Sequence, residues 1–436
     1  MLTTDQDQSV PTRTRVSTAS AIGVQLNFCH DSKLHISAIP FIFCTFGIDF
    51  QLMTEVILKP GKEKSILRYH PWVFSGAIQE KNGAWEEGAS ALVFDSKKNL
   101  LGEGHIGMGS ISVRILSFFE ERKPTFWNDV LGLAWNHRQD VLPPSTNCFR
   151  WIHGEGDGLS GLIIDVFGTV AVVQCHTWGM YLEREKIAAA IGVVQPHLSV
   201  FCRSKEVLKR PDLSNEWLLG KAEPHLVLEN DVKFHFEAGL GQKTGFFLDQ
   251  RDNRALVGSL SNGKKVLNCF SYTGGFSLYA LKGGAQHVTS VDISKDAISE
   301  ANEGVLRNGF PAEKHMGLAE DVLPYLTKLE SIDADVVILD PPAFAKSREK
   351  RHNAMNAYKR LNALAIKKMK PGALLFTFSC SQVVDRALFE STIMAAAIEV
   401  GRPVQILHFL SQGADHPINI FHAEGHYLKG LMLRIV

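Results

Sequence analysis

The sequence has no Cys-x-x-Cys pair, no apolar stretch long enough to span a bilayer, and no net charge. Its seven cysteines (Cys29, Cys44, Cys148, Cys175, Cys202, Cys269 and Cys380) are odd in number and scattered. That argues against a disulfide scaffold and a structural zinc site, so no metal is expected and a reducing cytoplasm is the natural compartment. The longest apolar run, Ile39 to Ile48, is broken by Pro40, Thr45 and Gly47. It is too short for a membrane span and lacks the flanks of a signal peptide. The GxGxxG fingerprint is missing, which disfavours a nicotinamide-dependent dehydrogenase. There is no internal repeat. Basic and acidic side chains cancel at 46 each, excluding a protein that grips nucleic acid by bulk charge but not one with a local basic face.

What is present is an average globular composition, 45% hydrophobic and 21% charged over 436 residues, enough for two or three domains. Residues 3–20, rich in Ser, Thr and Gln without periodicity, read as disordered. Residues 1–52 are therefore expected to be a dispensable or mis-started extension, with Met53 as the true start. Residues 53–122 carry short strands (Ala89 to Asp95, Leu100 to His105, Ile111 to Phe118) at the spacing of a small β-barrel or sandwich. Residues 123–238 read as an α+β module, with strands near 161–165, 170–176, 198–204 and 232–238 and one helix from Tyr181 to Ile191. Residues 239–436 alternate strand and helix, the pattern of a mainly parallel sheet wrapped by helices. Its strands fall at 265–269, 287–292, 314–317, 334–339, 373–378, 404–410 and 428–436, the last two antiparallel.

Ligands of such sheets bind at the carboxyl ends of the strands. The first strand ends in Asn268-Cys269-Phe270-Ser271-Tyr272-Thr273-Gly274-Gly275, where the glycines permit a sharp turn and close approach of a ligand. The second ends in Asp292, 24 residues after Asn268, placed to accept from ribose hydroxyls. Its alternative is capping the helix at Lys295, a job open to Ser294. Asp321 reads as an acceptor for an adenine amino group or as a helix cap. The fourth strand ends in Asp340-Pro341-Pro342-Ala343-Phe344; the prolines aim Asp340 into the cleft and Phe344 is placed to stack on a base.

The fifth strand runs into Ser379-Cys380-Ser381. A thiolate added to C6 of cytosine makes C5 nucleophilic towards an electrophilic methyl group, and cysteine both attacks and leaves well. Asp340 would bond the base near N3 and its amino group as the ring saturates. Cys269 reads as packing. Between Pro341 and Lys370 lie nine basic residues (Lys346, Arg348, Lys350, Arg351, Lys359, Arg360, Lys367, Lys368, Lys370) against Glu349 alone. Basic charge beside a base pocket suits phosphate contacts, with a solvated helix face as the alternative for Lys367, Lys368 and Lys370. The segment Arg203 to Arg210 is expected to add to that face.

These residues resemble the PUA-containing class I methyltransferases that use S-adenosylmethionine to make 5-methylcytosine in 23S ribosomal RNA. The resemblance covers about residues 54–436 and is strongest over Gly241 to Arg251, Asn268 to Ser277, Asp340 to Phe344, Ser379 to Ser381 and Glu424 to Gly430. It implies an α/β fold: a C-terminal Rossmann-like seven-stranded methyltransferase sheet, preceded by a small α+β domain and an N-terminal PUA-like barrel with Arg68 to Phe74 near its start. It also implies that Lys243, Thr244, Gly245, Phe246, Asp249 and Arg251 lie near the methionine end of the cofactor. Asn268, Phe270, Ser271, Tyr272, Thr273 and Gly274 would lie beneath it, Asp292 and Ile293 at its ribose, and Asp321 at its base. Cys380 matches the nucleophile, while Pro341, Pro342, Phe344, Lys346, Arg348 and Arg351 fall on the substrate side. The implied partner is 23S RNA or a large-subunit precursor, and a homodimer is compatible with the sequence.

Related RNA cytosine methyltransferases carry a second cysteine after a proline in the fourth-strand motif; Asp-Pro-Pro stands there instead, so the base that removes the C5 proton is not identified. Two rival readings remain: a methyltransferase acting on guanine or a base amine, which needs no thiol, and a non-catalytic RNA-binding assembly protein.

Overall fold

Parallel strands can each bury both faces only if helices cover them, and the C-terminal half of the chain meets that demand. The computed structural model describes residues 53–239, 246–345 and 347–436. These belong to the unit Leu52–Val436, the other unit being Met1–Gln51. The expectations for residues 1–52 thus lie outside the described residues, as do those for Lys243, Thr244, Gly245 and Lys346.

The C-terminal sheet contains β1 (Lys265–Cys269), β2 (His287–Asp292), β3 (His315–Ala319), β4 (Val336–Leu339), β5 (Leu374–Ser379), β6 (Val404–Leu410) and β7 (Lys429–Ile435). Their order is β3-β2-β1-β4-β5-β7-β6, with β1 to β5 parallel and β7 antiparallel to both neighbours. The order reverses between β1 and β4, which opens a crevice at their carboxyl ends. Helices α1 (Gly275–Lys282), α2 (Lys295–Arg307), α3 (Val322–Lys328), α4 (Arg351–Lys368) and α5 (Arg386–Glu399) connect the strands. The all-apolar β4, Val-Val-Ile-Leu, is buried throughout and separates two hydrophobic cores.

Upstream lie a six-stranded sheet built from residues 54–118 and a five-stranded sheet from residues 148–219, followed by the hairpin His225–Glu229 and Val232–Phe236. Several features depart from the sequence reading. The expected helix at 181–191 is two helices, Trp178–Leu182 and Arg184–Val194. The break falls at Glu183, whose carboxylate pairs with Arg122 at 2.8 Å. The helix Phe126–Val141 and the strand Cys148–His153 are additional.

Candidate active site

A cavity of about 420 Å³ opens at the carboxyl ends of β1, β2, β4 and β5. Its wall includes Phe246, Asp249, Phe270, Ser271, Tyr272, Thr273, Asp292, Ile293, Asp321, Asp340, Pro341, Pro342 and Cys380. Residues scattered over more than 130 positions of sequence thus converge because every parallel strand ends on the same side.

The turn after β1 is bent by two left-handed residues that are not glycine, Phe270 at φ 58° and Tyr272 at φ 48°. Such conformations cost free energy and persist where surroundings hold them. Here the Tyr272 amide donates to Asp292 Oδ2 at 2.8 Å, tying the two strand ends together. Asp292 Oδ1 accepts from the Ser294 amide at 2.9 Å, and Ser294 itself caps α2 through Ala297. The capping alternative therefore belongs to Ser294. Asp321 lines the cavity and also caps α3, accepting from the Leu323 amide at 3.1 Å. Both of its sequence-derived roles remain compatible, since a carboxylate has several lone pairs.

Gly274 does not line the cavity. At φ +80°, a Cβ built there would lie 2.9 Å from the Ala301 Cβ of α2, so helix packing and backbone conformation demand the glycine. Asn268 is fully buried beneath the turn, where its amide donates to Ser277 Oγ at 2.9 Å.

Arg251 is also away from the cavity. Its guanidinium makes two bonds to Asp415, of 3.0 and 2.6 Å, in a buried ion pair that anchors the segment after β6. The arginine that reaches the wall is Arg254, which sequence reasoning missed. It donates to Phe247 O at 2.8 Å and to both carboxylate oxygens of buried Glu229, at 2.8 and 2.6 Å. Asp249 accepts from the Tyr427 hydroxyl at 2.6 Å. Burial, then the neighbouring Asp249 charge, pushes that hydroxyl well above its ordinary range.

Asp340 is oriented by another residue the sequence reading missed, Gln250. Gln250 Oε1 accepts from Asn253 at 2.6 Å, which leaves its Nε2 to donate to Asp340 Oδ2 at 3.1 Å. Phe344, expected to stack on a base, instead packs on buried Tyr358 with ring centroids 4.7 Å apart and is not part of the wall. Its ring is drawn into the core between β4 and α4.

Cys380 is half-buried on the wall, whereas Cys148, Cys175, Cys202 and Cys269 are buried. Behind it, Lys429 of β7 donates to the Ser381 carbonyl at 2.7 Å.

The basic segment is less available than its sequence implied. Lys359 pairs with Glu399 at 2.7 Å and Lys370 with Asp335 at 2.8 Å. Lys368 donates to Leu326 O at 2.9 Å and Thr327 O at 2.8 Å, closing the carboxyl end of α3. Arg351, at the start of α4, is exposed; the side chain of Arg348 lies outside the described residues. Arg210 is paired with Glu87 and lies over the Trp178 ring at 3.9 Å, so it braces the fold.

Among the described residues, no group of three or more His, Cys, Asp or Glu is placed to hold a metal ion. No helix among them is long and apolar enough to cross a membrane.

The chain matches two known family models. A model described as S-adenosylmethionine-dependent methyltransferase matches residues 171–420, more than half of the chain. The chain belongs to this family. A second model, a PUA-like domain, matches residues 56–118 of the methyltransferase. Ribosomal RNA large subunit methyltransferase I of Alteromonas mediterranea is 39% identical over 394 residues, covering 88% of this chain and 99% of that protein. The protein of the same name from Aeromonas salmonicida is 37% identical, covering 87% and 98%. A solved SAM-dependent methyltransferase from Streptococcus mutans superposes with a TM-score of 0.75 at 21% identity, over 88% of this chain and all of that one. Another solved methyltransferase, complexed with SAH, gives the same values and shares the fold. The methyltransferase thus has the class I fold with a PUA-like domain before it, and S-adenosylmethionine is its cofactor.

Proposed function

We propose that this methyltransferase transfers a methyl group to C5 of a cytosine in large-subunit (23S) ribosomal RNA, with Cys380 as a covalent nucleophile. The observation that carries the reading is Cys380 on the same cavity wall as Asp340 and Asp292, with the other four described cysteines buried. The RNA substrate is inferred from the full-length relatives, whose name specifies the large ribosomal subunit.

The cavity residues fit the cofactor. Asp292 has lone pairs left over for ribose hydroxyls, Ile293 is 74% exposed as an apolar surface for a flat base, and Asp321 can accept from an amino group. Bound there, S-adenosylmethionine supplies an electrophilic methyl group. The chain's own residues do the rest. Cys380 adds to C6, breaking the ring's aromaticity and loading electron density onto C5. Asp340, steadied by Gln250, bonds the base edge as that density develops. Once C5 has bonded to the methyl carbon, its proton passes to a base that the sequence does not identify, and departure of the thiolate restores the ring. Residues 53–122, with the PUA-like match, would hold RNA, residues 123–238 would bridge, and residues 239–436 would carry the chemistry.

RNA carrying 5-fluorocytidine cannot lose its C5 substituent, so it is expected to trap the enzyme as a stable adduct on Cys380, mapped by peptide mass spectrometry. An adduct elsewhere, or none during turnover of unmodified RNA, refutes the mechanism. A thiol-independent base-amine methyltransferase would give that second outcome.

The cofactor assignment carries its own expectation. Asp292→Ala removes the ribose acceptor, costing about 2–3 kcal/mol for bonds to a charged group, or a roughly 30- to 150-fold weaker Kd. Calorimetry with S-adenosylmethionine measures it, and an unchanged Kd would remove Asp292 from the binding site.

A further inference from the structure

Lys429 is an unusual cation. It lies on β7 opposite Ser379 of β5 and is only 3% exposed. Buried lysines normally pair with a carboxylate. Lys429 has instead the Ser381 carbonyl at 2.7 Å, one residue beyond Cys380. Of the charges that act on it, Cys380 has the largest effect and then Asp385, both favouring the ammonium, with Arg386 opposing. Burial brings its ammonium down to about 8, within reach of proton exchange with a thiol near neutral pH. Asp340 shares the cavity wall with Cys380, and the charges of both act on Tyr358, whose hydroxyl is pushed up to about 12, chiefly by burial.

We propose that Lys429 holds Cys380 in its reactive form. The Cys380 S–H bond breaks and its proton joins the Lys429 amine, leaving a thiolate–ammonium pair of no net charge beside the cavity. The thiolate lone pair is then available to attack, and when the thiolate departs it returns to the same ammonium. Cys269 is the internal contrast. It also ends a strand of this sheet but is fully buried with no cation, and burial alone pushes its thiol far up. Lys429 acts through Cys380, so it is a positioning residue. The inference rests on Cys380 being the nucleophile.

The test is the pH dependence of Cys380 alkylation by iodoacetamide in the full chain, read by peptide mass spectrometry so that other cysteines do not interfere. Wild-type Cys380 is expected to titrate below the free-cysteine value of about 8.5. Lys429→Met should slow its alkylation at pH 7 about tenfold or more, one unit of thiol pKa being a factor of ten. Lys429→Arg, which keeps the charge, should recover most of the rate. Calorimetry with S-adenosylmethionine reports whether each variant is folded; if neither is, the wild-type curve decides alone. A wild-type curve at or above that of free cysteine, or a Lys429→Met curve superimposing on it, overturns the proposal. Alkylation needs no RNA, so this failure would leave the 5-fluorocytidine result standing, and the converse also holds.

Discussion

Cys380→Ala is expected to reduce methyl transfer to RNA by at least about 10³-fold, with S-adenosylmethionine affinity within about twofold of wild type. The size follows from what the thiolate does. Without addition at C6, C5 of cytosine has too little electron density to attack, and losing a covalent nucleophile typically costs about 4 kcal/mol of barrier or more. Affinity survives because the groups assigned to the cofactor, Asp292, Ile293 and Asp321, lie at the end of β2 and after β3, while Cys380 follows β5. Single-turnover methylation of transcript RNA with radiolabelled cofactor, beside calorimetry, separates the two quantities. Near-normal transfer would favour methylation of a base amine, for which Asp340 alone provides the recognition. Loss of both activities together would point to structural damage. Cys380→Ser then discriminates, because it keeps shape and polarity but is a far weaker nucleophile.

The second large effect is on stability. Asp415→Ala is expected to destabilise the methyltransferase by about 3–5 kcal/mol, the range for removing one partner of a buried ion pair. Asp415 is fully buried, accepts two bonds from Arg251 and one from the Arg150 amide at 3.0 Å, and touches His416 Nδ1 at 3.0 Å. Its own carbonyl accepts from Arg138 at 3.0 Å. One residue therefore ties the segment after β6 to three distant parts of the chain, and its loss takes the buried counter-charge from the Arg251 guanidinium, leaving the exposed Asp252 at 3.4 Å. Denaturant unfolding measures the effect, and a change below 1 kcal/mol would show that water replaces the carboxylate. The pH dependence has a definite sign. Burial alone would raise the Asp415 carboxyl, but His416 and Arg251 beside it hold it well below the ordinary value of 3.8. A depressed folded-state value means the contribution is complete above the ordinary aspartate range and is lost as pH falls below it. Wild type should therefore lose stability more steeply in acid than Asp415→Asn, whose amide does not titrate.

Much of the C-terminal half was legible without coordinates. Strands at 265–269, 287–292 and 404–410 coincide with β1, β2 and β6, because apolar β-formers bounded by Gly, Pro and Asp carry their own signal. The strand-end acids were legible for the same local reason: an Asp closing an apolar run can only emerge at the strand's carboxyl end. The helix Phe126–Val141 was missed although its buried positions 127, 131, 134 and 138 follow helical spacing. The last of them is Arg138, which reads as solvent-facing until Asp157 appears 2.6 Å from its guanidinium.

The same limit governs the site. Of two arginines three residues apart, composition offered no means to tell that Arg251 would pair with Asp415 and Arg254 would reach the cavity. Nor could it tell that Phe344 would turn towards Tyr358, that Lys368 would close α3, or that Gln250 would hold Asp340. In the C-terminal sheet, strand positions and the residue types at strand ends depend on neighbours within a few positions, and the sequence by itself determined them. Which buried charge meets which partner depends on residues up to 277 positions apart, as Arg138 and Asp415 are. A charge enters the interior only where such a partner awaits it, so the tertiary structure alone decided which polar side chains build the cavity and which hold it in place.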